Sequence, residues 1–109
     1  MAYNEELAER LRKTLARRRG ITEKKMFGGI TFMCNGNMTC GVEKDNVVMR
    51  VGPDAYENAL KRKHVRPMDF TGRPLKGMVY VDKAGIKSDT SLKEWVDLCL
   101  KFTRSLPKK

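Results

Sequence analysis

Few residues in this chain have the types and spacing that chemistry needs. His64 is the only histidine of 109 residues. It follows Lys61, Arg62 and Lys63, and no Ser, Cys or Asp stands at a recognised spacing from it. It therefore reads as a loop residue beside a basic helix end, not as an acid or base. A metal site needs more ligands than one histidine and scattered carboxylates supply. The carboxylates are mostly single and interleaved with Lys or Arg, and no pair is placed as general acid and base. Cys34, Cys40 and Cys99 are an odd set, and the N-terminus carries Glu5, Glu6 and Glu9 where a secretion signal would be apolar. Reduced thiols are the expectation. The chain is expected to be no enzyme, with no catalytic residue, no cofactor and no metal.

Charge is the stronger signal. The formal net charge is +10 and the pI about 9.8. Between Arg10 and Lys25 stand eight basic residues and one acid, Glu23, so +7 of that charge lies in one short stretch. The eight are Arg10, Arg12, Lys13, Arg17, Arg18, Arg19, Lys24 and Lys25. Such a cluster attracts an acidic protein or a nucleic acid, unless it is only a solvated helix face. No helix-turn-helix, zinc-finger or RNA-recognition motif accompanies it. Aromatic residues are few, at 7%, so a stacking platform for single strands is poorly supplied.

Two other features invite a functional reading. Met26-Phe27-Gly28-Gly29 matches neither GxGxxG nor a P-loop, and no helix follows it. It reads as a structural bend or bulge where the first helix crosses the sheet. The seven methionines lie mostly in strand positions, as adaptable core filler or, alternatively, as a partner-binding face.

The elements that must position these residues follow from periodicity. Leu7, Leu11 and Leu15 recur every four residues, and Asn4 to Arg19 reads as a helix capped by Asn4 and stopped by Gly20. Met26 to Val51 reads as a three-stranded meander. Asn35-Gly36 makes a type I′ turn, and Lys44-Asp45-Asn46 makes the next. That register places Met33 opposite Met38 and Thr31 opposite Cys40. Cys34 and Cys40 then point to opposite sides, and only a slipped or bulged hairpin would bring them together. A second helix runs from about Asp54 to Lys63, with Pro53 in its first turn. Residues 64–77 read as a long loop, in which His64, Asp69 and Arg73 are the residues that a pocket would use. Met78 to Val81 is a strand, and residues 82–89 are a connection with room for a short edge strand. Ser91 and Glu94 form a capping box for a last helix to about Ser105, burying Leu92, Trp95, Val96, Cys99, Phe102 and Leu106.

The order α-β-β-β-α-β-(β)-α predicts a single α+β domain over residues 1–109. It has two layers, an antiparallel sheet of four to five strands with helices packed on it. The longest uncharged stretch, Met26 to Val42, is broken by glycines and by Asn35 and Asn37, so no membrane span is expected.

Lys25-Met26-Phe27-Gly28-Gly29-Ile30, then Asn35-Gly36-Asn37-Met38, then Met49-Arg50-Val51-Gly52 together resemble the N-terminal domain of the TfoX/Sxy family. The resemblance spans roughly residues 4–105. It implies an antiparallel α+β domain similar to secretion-chaperone-like folds. It also implies a non-enzymatic role in regulation, since competence regulators of this kind act as coactivators beside a catabolite-activator-type transcription factor. Those regulators carry a C-terminal helical domain, whereas this sequence ends at Lys109, so a stand-alone N-terminal domain is expected. The family offers no agreed catalytic or ligand residues. The expectation is a cytoplasmic regulatory or protein-interaction domain with a protein partner such as a transcription factor. A nucleic-acid-associated module using residues 10–25 is the alternative, and homodimerisation stays open.

Overall fold

Among the described residues, ten elements fold into one sheet with helices over a single face. The computed structural model describes residues 3–26 (Met26 by its backbone), 28–68 and 76–107. The order is α1 (Glu5–Leu15), β1 (Ile21–Met26), β2 (Gly29–Cys34), β3 (Asn37–Glu43), β4 (Asn46–Arg50), α2 (Pro53–Leu60), β5 (Val65–Pro67), β6 (Met78–Val81), a 3-10 turn (Lys83–Ile86) and α3 (Asp89–Thr103). The sheet runs β1-β2-β3-β4-β6-β5 and every pairing is antiparallel. The two-layer α+β class is as expected, but the sheet has six strands, not four to five.

Both extra strands are edges. β1, Ile-Thr-Glu-Lys-Lys-Met, pairs with β2 along its length. Its charges hide it from a hydrophobicity pattern, and the same charges discourage a further strand from pairing outside it. β5 lies within the stretch expected to be loop. It is three residues long and carries Pro67, which an edge position tolerates because one side of the strand needs no donor. Asp69 and Arg73, named for a pocket with His64, lie outside the described residues. Residues 83–86 form the 3-10 turn instead of an edge strand.

The helix ends are set by polar side chains. Asn4 Oδ1 accepts from the Leu7 N–H at 3.1 Å, so Asn4 caps α1 as expected. Regular helix stops at Leu15, and turns carry the arginines to Gly20, whose φ is +78°. α3 begins one turn before the expected capping box. Ser88 is the N-cap, accepting from the Ser91 N–H at 3.0 Å. The Ser91 hydroxyl instead donates to Gly85 O at 2.6 Å, tying the helix start to the 3-10 turn. Leu92, Trp95, Val96 and Cys99 are buried as expected. Leu100 and Thr103 join them, while Phe102 and Leu106 are half-buried.

The hairpin register departs from expectation at one residue. Asn35 and Gly36 both have positive φ, +54° and +83°, as a type I′ turn requires. Met33 pairs with Met38, but Phe32 pairs with Cys40, so Thr39 is an extra residue in β3. This bulge turns Thr39 and Cys40 both inward. Cys34 and Cys40 therefore share the helix-side core, contrary to the unbulged register, and all three cysteines are free and buried. Burial pushes the Cys40 thiol up to about 12, and burial, then proximity to Cys40, pushes Cys99 well above the ordinary thiol range. These are inert core thiols. Cys99 Sγ lies 3.6 Å from Met49 Sδ.

The main core lies between helices and sheet, around Leu11, Phe32, Met49, Trp95 and Val96. A smaller cluster of Val48, Met68 and Tyr80 lies on the reverse face, with half-buried Met38 and Met78 packed on it. Met33, paired with Met38, is half-buried on that face too. The methionines thus divide: Met49 fills the main core, whereas four others gather on the side that carries no helix among the described residues.

Candidate interaction surface

The eight clustered cations separate into three groups. Arg12 is held by carboxylates on both sides. Its Nε donates to Glu23 Oε2 at 2.7 Å and its Nη2 to Glu23 Oε1 at 2.8 Å, while Nη1 reaches Glu9 Oε2 at 2.5 Å. This fork ties α1 to β1 and lowers the Glu23 carboxyl below its usual range, chiefly through the hydrogen bonds from Arg12. Arg12 has no net charge to offer a partner. Lys24 and Lys25 stand on edge strand β1. Successive strand residues face opposite ways, so they sit on opposite sides of the sheet.

The remaining five come together with residues far away in sequence. Arg10, Lys13, Thr14 and Arg18 of the α1 side face Asp89 and Lys93 of α3 across an open groove of about 450 Å³. Arg17, Arg18, Arg19, Asn35 and Arg104 line a second depression of about 470 Å³. Arg18 borders both, so the two adjoin as a trough along the outside of the helix layer; Arg18 also borders a third depression, beside Leu15, Ile21 and Phe32. Within it, Arg10 pairs with Asp89 at 3.3 Å and Arg18 with Asp97 at 2.7 Å. Lys13, Arg17, Arg19, Lys93 and Arg104 have no carboxylate partner among the described residues.

Lys93 and Arg104 are absent from a reading that follows charge density along the chain. Their signal is helical. Eleven residues at 100° each bring Arg104 to within about 20° of Lys93, with Asp97 on the same stripe. The inner stripe of Leu92, Trp95, Val96 and Cys99 fixes the rotation of α3, and this basic stripe is left facing α1.

The family pattern of the TfoX N-terminal domain matches residues 13–103. The chain belongs to the TfoX N-terminal domain family. No curated protein and no solved structure matches it significantly.

In this TfoX domain the motif residues hold strands together. Met26 pairs with Gly29 at the end of the β1–β2 ladder, so the motif lies where these two strands meet; it is not the expected bend beneath the first helix. Gly28 has φ +77°, and a Cβ on Gly29 would stand 2.2 Å from Val42 O. The glycine pair therefore allows the turn and the close approach of β2 to β3. Phe27 and the Met26 side chain lie outside the described residues. Gly52, ending Met-Arg-Val-Gly, has φ +88° and abuts the Phe102 ring, and Arg50 lies 5.3 Å over that ring while donating to Met38 O. This joins the end of β4 to α3. His64 is exposed, with φ +67°, and its carbonyl accepts from the Asp82 N–H at 2.9 Å. It turns the chain between α2 and β5. Among the described residues no group of three or more His, Cys, Asp or Glu could hold a metal ion, and no helix is long and apolar enough to cross a membrane.

Proposed function

We propose that this TfoX domain is a non-enzymatic regulatory domain that works by contact with other macromolecules, as a cytoplasmic adaptor in transcription control. The observation that carries the reading is the pair of unlike surfaces on opposite sides of one sheet. The helix layer presents a cationic trough, and the reverse face presents Met33, Met38 and Met78 around Val48 and Tyr80. An adaptor needs two faces of different chemistry so that two partners do not compete. Thioether side chains adapt to varied apolar contacts, which suits the reverse face to a protein partner such as a transcription factor. The long-range field of the trough suits a polyanion.

The test is co-purification from native extract after nuclease treatment, using the wild type and Met38→Lys. A protein that survives nuclease and is lost with Met38→Lys supports the reading. Identical capture by both proteins, or turnover of a substrate by the purified chain, overturns it.

A further inference from the structure

The trough shares Arg18 between its two halves, and neither half is lined by an apolar side chain larger than the methyl of Thr14; in the third depression beside Arg18, Leu15 and Phe32 are buried in the core and offer no apolar docking centre. That composition separates the two polyanions such a surface can meet. A protein partner, even an acidic one, docks through an apolar and aromatic centre with charges at the rim. A sugar-phosphate backbone needs no such centre, because cations and released counterions supply its affinity. We infer that the α1–α3 trough binds the phosphate backbone of duplex nucleic acid without reading its sequence. The inference rests on the trough being a contact surface, as proposed above.

Charge counting supports it. Five cations in the trough, Lys13, Arg17, Arg19, Lys93 and Arg104, form no ion pair among the described residues, since Asp89 and Asp97 are matched by Arg10 and Arg18. The C-terminal ends of α1 and α3 point towards the Arg19 and Arg104 end. Each carries about half a negative charge, so together they offset roughly one cation and not five. The excess is more than capping helix ends requires. Three of the five are arginines, whose planar fork suits phosphate oxygens. Lys13 stands in α1 and Arg17 in the turns beyond its end, one in each half of the trough, and Lys93 and Arg104 share one stripe across from them. The charges thus form an extended track and not a single point, as successive phosphates require. No aromatic side chain lines the track, which favours duplex over single strand, where stacking carries the affinity.

The test is fluorescence anisotropy of a purified 25-base-pair duplex with the full chain across 50–200 mM salt. Five phosphate contacts give a log–log slope of about −4.5, a loss of roughly 500-fold over that range. Changing Arg17, Arg19 and Arg104 together to Ala makes the slope shallower by about 2.7. The same three changed to Lys keep it, which separates charge from folding. Lys24→Ala with Lys25→Ala leaves it near the wild-type value. Two duplexes of unrelated sequence bind alike, and a single strand of equal phosphate number binds no tighter. A slope shallower than −1 overturns the inference, as does loss of binding in the Lys24/Lys25 variant alone. Competition by polyglutamate equal to that by duplex also overturns it and assigns the trough to an acidic protein. In each of these outcomes, capture that resists nuclease and depends on Met38 still stands or falls separately.

Discussion

The trough and the reverse face of the sheet differ in what holds their side chains in place. The trough is carried on the outer stripes of two helices whose inner stripes are buried. Its exposed cations, Lys13, Arg17, Arg19, Lys93 and Arg104, touch little, so their charge can be altered with small effect on folding. The methionine face is the second side of strands whose first side is the core. Val48 is flanked in β4 by Val47 and Met49, both buried from the helix side. Register alone decides which residue faces which way, so a disturbance of one side is felt by the other. A charged surface on a helix is thus separable from stability, whereas an apolar surface on a strand is separable only at its half-buried outer side chains, such as Met38.

The largest test of that difference strikes the shared layer. Met49→Ala removes a fully buried side chain beneath α3 and is expected to cost about 3 kcal/mol. That lowers the thermal midpoint by roughly 15 °C in a domain of this size, and both surfaces are lost together. An unchanged midpoint would separate the core from the surfaces and break the comparison.

Thr39→Val probes the bulge that sets the register. Thr39 Oγ1 lies 3.2 Å from both Asn37 O and Thr103 Oγ1 in a fully buried site. Its removal is expected to cost about 1–2 kcal/mol in denaturant titration. Adding Thr103→Val is expected to cost less than the two single changes summed, because the hydroxyls are partners. Strict additivity would show that they are not coupled.

Met38→Lys sharpens the contrast from the other side. The half-buried methionine lies over the smaller cluster, and the lysine stem can follow the same path with its ammonium in water. Stability is expected to change by less than about 1 kcal/mol, well below the Met49 effect. A loss as large as that of Met49→Ala would mean that the reverse face is core and not surface.

The smallest effect is in the Arg12 fork. The folded-state pKa of Glu23 is depressed, so its contribution to stability is present above the ordinary glutamate pKa. It is lost as pH falls through the lowered native value. Urea midpoints of wild type and Glu23→Gln should therefore differ slightly at neutral pH and converge in acid. A gap that widens towards low pH would have the wrong sign for this linkage.

Much of this molecule was legible because local rules and tertiary needs agree. The leucines of α1, Asn4 as its cap, Asn35-Gly36 and the buried stripe of α3 are satisfied by neighbours in sequence. Where they disagree, the local pattern misleads. β1 is a strand because β2 offers it partners, not because its own residues are apolar. The Thr39 bulge has no local signature, since its reward is a hydroxyl contact with Thr103, which is 64 residues away. The trough was half visible. The run from Arg10 to Arg19 announces charge, but Arg12 is neutralised by Glu9 and Glu23, and Lys93 and Arg104 enter only when α3 is laid against α1.

The free cysteines make the domain a reporter of its own opening. Cys34, Cys40 and Cys99 belong to β2, β3 and α3, and an alkylating reagent in water reaches none of them in the closed fold. The rate at which each is modified therefore measures how often its element parts from the rest. Equal rates would mean that strands and helix come apart in one cooperative event. A faster Cys34 would mean that the β1–β2 hairpin, the charged margin of the sheet, peels away first.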